Sequence, residues 1–139
     1  MLSLDPLGLD GAMLDEARAY LRVEDGADDP SLSSSLLAAI GHAEKFTRAV
    51  FFRRTAREII SASSGWQILQ VVPVQTVSGV SGIPAEGASF PLAADSWEAK
   101  IGSRGEAYVR ILQPGSAGRV EIVCVAGLAA DWATLPEAL

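Results

Sequence analysis

The sequence predicts an α+β fold, with an N-terminal antiparallel helix pair followed by an antiparallel β-meander and the start of a C-terminal helix. Three observations carry this expectation. Between Asp29 and Phe52 the apolar residues Leu32, Leu36, Leu37, Ile40, Ala43, Phe46, Val50 and Phe51 recur mostly three or four apart, which lines one face of a helix. After Phe52 the apolar period falls from 3.6 toward 2, the alternation of half-buried strands. Near the end, Thr134-Leu135-Pro136-Glu137 has the Thr-x-x-Glu form of a capping box with proline in the first turn, which announces a helix. At 139 residues the chain fits a single domain, residues 1–139, helical over about 10–52 and β-rich over about 55–127.

The first helix is expected over Ala12 to Val23, with Leu14, Ala17 and Leu21 on its apolar side, Asp15 and Glu16 near its start and Arg22 near its end, as the helix dipole favours. The short polar link EDGADD makes an antiparallel pair with the second helix the simplest connection. That second helix opens with Asp29 as a cap and Pro30 in the first turn, where a missing donor costs nothing. Gly41 in its interior weakens it by about 1 kcal/mol relative to alanine, so packing must supply most of its stability. In the β-rich part, Thr55 to Ser61 and Trp66 to Val72 read as a hairpin around Ser63-Ser64-Gly65. Pro73 confines the next run, Val74 to Val80, to a strand start or an edge. SGIPAEGAS reads as a loop. The runs at Trp97–Ile101, Ala107–Ile111 and 119–126 then alternate across the turns GSRG and QPGSAG, completing the meander.

Composition narrows the function. No apolar run approaches the ~18 residues of a membrane span, and the N-terminus lacks the basic start and apolar stretch of a signal peptide, so a soluble, intracellular protein without membrane contact is expected. The single cysteine, Cys124, excludes an internal disulfide and, inside VEIVCVAG, reads as a buried, inert thiol. A net charge of −6 argues against binding nucleic acid over the whole surface. His42, the only histidine, has no His-x-x-x-His partner and no nucleophile signature around it, and the acids Asp25, Asp28 and Asp29 lack the glycine and closing glutamate of a calcium loop. There is no GxGxxG and no GxxxxGK[ST]. No catalytic, cofactor-binding or metal-binding residue is assigned, and no cofactor is expected. Trp66, Trp97 and Trp132 read as core or interface packing, because interleaved Arg and Lys of the kind that binds single strands are missing around them.

The order of motifs resembles a known family. Leu14, Ala17, Arg18, Leu21 and Arg22, the acids Asp25, Asp28 and Asp29, and then Phe46, Thr47 and Arg48 are similar to the opening of the head-tail connector, or adaptor, proteins of long-tailed bacteriophages and gene transfer agents. Trp66, Pro73-Val74, Val77, Val125-Ala126-Gly127 and Leu135-Pro136 resemble the β-rich segment of one branch. One departure is Arg48-Ala49, where glycine commonly follows the threonine. The resemblance implies a structural, non-enzymatic protein that forms a ring on the portal and receives a tail-side stopper or tail terminator protein, with DNA passing through without sequence-specific binding. It also implies assembly in the host bacterial cytoplasm and a final place in the neck of the particle. The alternatives are a small intracellular ligand- or peptide-binding domain without catalysis, and a hydrolase using His42.

A ring of identical subunits needs heterologous contacts, in which one patch meets a different patch on the next copy. Residues 1–30 carry eight acids against two arginines, whereas residues 31–58 carry five bases against two acids. The candidate subunit interface is therefore Asp15, Glu16, Asp25 and Asp28 on one side against Lys45, Arg48, Arg53, Arg54 and Arg57 on the other. Rim charges of this kind steer association, so reversing Arg53 and Arg54 is expected to impair assembly without lowering thermal stability.

Overall fold

The computed structural model describes residues 2–5, 7, 14–15, 17–19 and 29–129. The long helix spans Asp29–Thr47. The strands are β1 Leu2–Leu4, β2 Arg54–Ser61, β3 Gln67–Ile68, β4 Val74–Pro84, β5 Phe90–Pro91, β6 Trp97–Ile101, β7 Ala107–Ile111 and β8 Ala117–Ala126. They form a five-stranded sheet in the order β1-β2-β8-β4-β5 and a three-stranded sheet in the order β3-β7-β6, with antiparallel pairing throughout. The α+β class holds. Residues 14–15 and 17–19 are helical, but the link between the expected helix pair, Trp132 and the expected C-terminal helix lie outside the described residues.

The meander does not hold. β6 and β7 form the expected hairpin, with Trp97 opposite Ile111 and Ile101 opposite Ala107. β8, expected as the next strand of the same run, instead inserts between β2 and β4. Its ten residues bury Val120, Ile122, Cys124 and Ala126 completely, and only a central position gives both rows of its backbone groups a partner. The expected β2–β3 hairpin is also absent. Ala62 N–H donates to the Gly118 carbonyl at 3.1 Å, and Ile111 N–H donates to the Ser63 carbonyl at 2.8 Å, so the chain crosses from one sheet to the other at Ser63-Ser64-Gly65. The glycine and serines serve a corner. β4 runs through SGIP to Pro84, where a loop was expected, and β1 and β5 are short strands that the alternation did not reveal.

The two sheets face each other across one apolar core. Ala56, Val80, Val120, Ile122 and Cys124 from the larger sheet pack with Ala107, Val109 and Ile111 from the smaller, and Leu69 and Val71 fill the space between. Trp97 packs against this core, as expected. Cys124 is fully buried, and burial, with a smaller contribution from the Glu58 carboxylate, pushes its thiol up to about 11 from an ordinary 9.0. The folded chain therefore holds this proton more tightly than the unfolded chain does. The resulting stability is complete below about pH 9 and is lost as pH rises toward about 11. Denaturant titrations across that window are expected to lose on the order of 2 kcal/mol more in the parent than in Cys124→Ala. Equal slopes would mean that the thiol ionises freely.

Glu58 is the buried charged residue among the described residues. Alternation along β2 turns Ala56, Glu58 and Ile60 to the same face, and Glu58 is buried. Its carboxylate accepts hydrogen bonds from the backbone N–H groups of Gln70, at 2.9 Å and 3.0 Å, and of Val71, at 3.3 Å. These donors lie in the irregular stretch before β4 and have no strand partner. The carboxylate replaces one.

The long helix ends at Thr47, so Val50 and Phe51 are not on its face as expected. Arg48 adopts φ +57°, and Ala49 N–H donates to the Glu44 carbonyl at 3.2 Å, the six-to-one bond of a Schellman cap. Val50 N–H then bonds the Val72 carbonyl at 2.7 Å, which hands the chain to the sheet. A side chain in this left-handed position costs about 1 kcal/mol. Arg48→Gly is expected to raise the melting temperature by about 4 °C. An unchanged or lower value would show that the cap is not strained.

Candidate assembly surface

Three of the motifs that resemble the connector family, Phe46-Thr47-Arg48, Pro73-Val74 and Val125-Ala126-Gly127, lie where the helix enters the sheet. Leu128 N–H donates to the Val50 carbonyl at 3.0 Å, Ala129 N–H to Phe51 at 2.9 Å, and Arg53 N–H to Ala129 at 2.9 Å. Gly127 N–H reaches the Pro73 carbonyl at 2.9 Å, and the Gln75 side-chain amide donates to the Gly127 carbonyl at 2.8 Å. Gly127 has φ +139°, and a side chain on it would overlap the backbone at Phe52 and Arg53. Phe52 is buried beside Ile40, with Leu7 and Phe51 packed against them. This small second core anchors the helix.

The candidate interface charges divide into two groups. Arg54 donates to both carboxylate oxygens of Glu44, and the two side chains are only 11% and 12% exposed. Glu44 also accepts from Phe51 N–H at 2.8 Å. Arg54 therefore belongs to the internal framework of the junction, and it is not the exposed rim charge expected. Arg57 pairs with Asp5 across β1 and β2 at 2.7 Å, so one of the N-terminal acids is already matched within the chain. Asp15 is exposed and pairs with Arg18 at 2.7 Å. Lys45, Arg48 and Arg53 are exposed and form no ion pair among the described residues. Glu16, Asp25 and Asp28 lie outside the described residues. His42 is exposed on the helix.

A groove of about 650 Å³ opens beside the helix, with Leu2, Leu4, Ala49, Val50, Val71 and Val72 as its apolar lining. Lys45 and Arg48 stand on the helix side of it. A second surface lies on the outer face of the three-stranded sheet. There Lys100 Nζ sits 4.6 Å from the Trp66 ring and 5.4 Å from the Tyr108 ring, and the Arg110 guanidinium sits 4.7 Å from Trp66 while bonding Glu98 at 2.7 Å. Trp66 is thus 39% exposed between two cations, not in the core. Sequence distance concealed this grouping, because the cations come from β6 and β7.

The fold has counterparts among solved structures. A chain in the neck of an empty gene transfer agent particle, computed with C6 symmetry, matches at TM-score 0.77 and 30% identity over 98% of this chain and 75% of its own length. This chain belongs to the head-tail connector (adaptor) family. The connector is similarly matched by a chain of the virion of a native gene transfer agent particle, at TM-score 0.76 and 30% identity over 98% of its length and 76% of the other. A chain in the neck of the native particle, computed with C12 symmetry, gives TM-score 0.70 and 28% identity over 96% of the connector and 74% of that chain. No protein-family model matches the connector, and no curated protein does.

Proposed function

We infer that the connector is a structural component of the neck of a gene transfer agent particle, where it forms a ring between the portal and the tail and has no catalytic role. The observation that carries this reading is the match along 98% of the chain to a neck component in a symmetric assembly. A chain built for such a place needs a rigid body and separate surfaces for its neighbours. The sandwiched sheets supply the first, and the groove, the exposed cations of the helix end and the outer face of the small sheet supply the second. In this reading Lys45, Arg48 and Arg53 face Asp15, Glu16, Asp25 and Asp28 of the next copy, while Arg54 and Arg57 hold their own chain together. The portal lies on one side of the ring and a stopper or tail terminator on the other, and DNA passes through the middle. Assembly takes place in the host bacterial cytoplasm.

The experiment is electron microscopy of particles carrying a labelled copy of the connector. Label density in a ring at the neck is the expected result. Label on the capsid shell or the distal tail, or particles that assemble complete necks without the connector, would overturn the reading.

A further inference from the structure

The groove beside the long helix continues an open sheet edge. β1 is the terminal strand of the larger sheet on that side. Asp5 N–H donates to the Thr55 carbonyl at 2.9 Å, and bonds alternate along an antiparallel pair, so Ser3 and Asp5 direct their backbone groups at β2. The N–H and C=O groups of Leu2 and Leu4 therefore face the open side, where they have no partner among the described residues. At the other end of this sheet β5 has two residues, one of them proline, whereas Leu2-Ser3-Leu4 has no proline and no charge to turn an added strand away. Leu2 and Leu4 line the groove with Val50, Val71 and Val72, so the inward side chains of a strand laid beside β1 would enter it.

Local charge points to the strand. Lys45 and Arg48 stand exposed on the helix side of the groove without an ion pair among the described residues, and the carboxylate on that wall, Glu44, is engaged by Arg54. From Val23 to Asp28 the sequence carries three acids, Glu24, Asp25 and Asp28, and no base. Val23 and Asp25 fall on one side of an extended backbone, giving an apolar side chain for the floor and a carboxylate for the cations. We propose that the stretch 23–28 of the next copy in the ring lies along β1 as an added strand, with Val23 over the apolar floor and Asp25 facing Lys45 and Arg48. In such β-augmentation the backbone bonds hold the segment and the side chains select it. The contact joins two different surfaces, as a ring of identical subunits requires. It rests on the ring assembly proposed above.

Disulfide trapping in assembled necks tests it. The native thiol, Cys124, is buried, so introduced cysteines report alone. Strands that pair bring facing residues within disulfide reach, so Val23→Cys combined with Leu4→Cys, or with Leu2→Cys in the other register, is expected to give a ladder of covalent multimers on oxidation. Necks built from an equal mixture of the corresponding single variants are expected to stop at dimers. Leu4→Pro removes a donor that β2 does not use, so it should melt within about 3 °C of the parent and enter necks at least about tenfold less well. Leu4→Val keeps that donor and should enter like the parent. Rings visible at the neck with no ladder from either double variant, with disulfides closed only within single chains, or with Leu4→Pro incorporated like the parent, would overturn the strand contact and leave the ring standing. Absence of any ring would remove the ring reading and this contact with it.

Discussion

Gly127→Ala is expected to leave little or no folded protein. A Cβ at this position would stand 2.5 Å from Arg53 Cα and 2.5 Å from the Phe52 carbonyl carbon, and closer still to Arg53 N. These are backbone atoms, already fixed by the Arg53–Ala129 and Ala129–Phe51 bonds at 2.9 Å each, so no side chain can swing aside to make room. The backbone at φ +139° adds strain for any residue with a Cβ. Relief requires separating the helix exit from the end of β8, which abandons the small core around Phe52 and Ile40. A loss of more than about 4 kcal/mol is expected, a large part of the total stability of a domain this size. Gly118→Ala is the control, because a Cβ there meets nothing within 4 Å. Chemical denaturation of both variants gives the answer, and a Gly127→Ala midpoint close to that of Gly118→Ala would show that the junction can open without cost.

Arg54→Glu and Arg53→Glu, adjacent changes of the same sign, are expected to behave in opposite ways. Arg54 is nearly covered and neutralises Glu44, which also holds Phe51 N–H. Reversal there leaves one part-buried carboxylate uncompensated and sets a second against it. Breaking a covered pair in this way costs on the order of 3–5 kcal/mol. The melting temperature should fall by roughly 10–20 °C. Arg53 is exposed, and its reversal together with Lys45→Glu should leave melting within about 2 °C of the parent while reducing entry into necks. Adding Asp15→Arg and Glu16→Arg should then restore part of that entry. Thermal scans separate the two arginines directly: equal melting of Arg54→Glu and Arg53→Glu would mean that the Glu44 pair contributes nothing.

Strand positions were legible because alternation is local. Thr55 to Ser61, Val74 to Val80, Trp97 to Ile101, Ala107 to Ile111 and 119–126 all fall within observed strands. Partners were not legible, since nothing in Val120, Ile122 and Cys124 states that β2 and β4, far back along the chain, will flank them. The turn chemistry of Ser63-Ser64-Gly65 marked a reversal of direction truthfully and left open whether it joins neighbours in one sheet or turns a corner between two. Glu58 escaped notice because a charge on a strand reads as solvent-facing, and its backbone partners at Gln70 and Val71 exist only in three dimensions. The helix stripe was read too long for a similar reason, as Arg48 ends the helix by its backbone and not by its residue type. Of the interface charges, sequence could separate acids from bases, but not Arg54, engaged within its own chain, from Arg53, which is exposed.

Because β8 lies between β2 and β4, the larger sheet must wait for the last of the described strands. Arg54 finds its partner only at Ala126, and Val74 shares that same residue from the other side. Until β8 has left the ribosome, β2 and β4 have no common neighbour, and their unpaired edges are open to strands of other nascent chains. Such distant pairing makes for slow folding. A protein needed in many copies at one place is thus most vulnerable while polysomes hold those copies close together, and slower, cooler synthesis should raise its soluble yield more than any change on its finished surface.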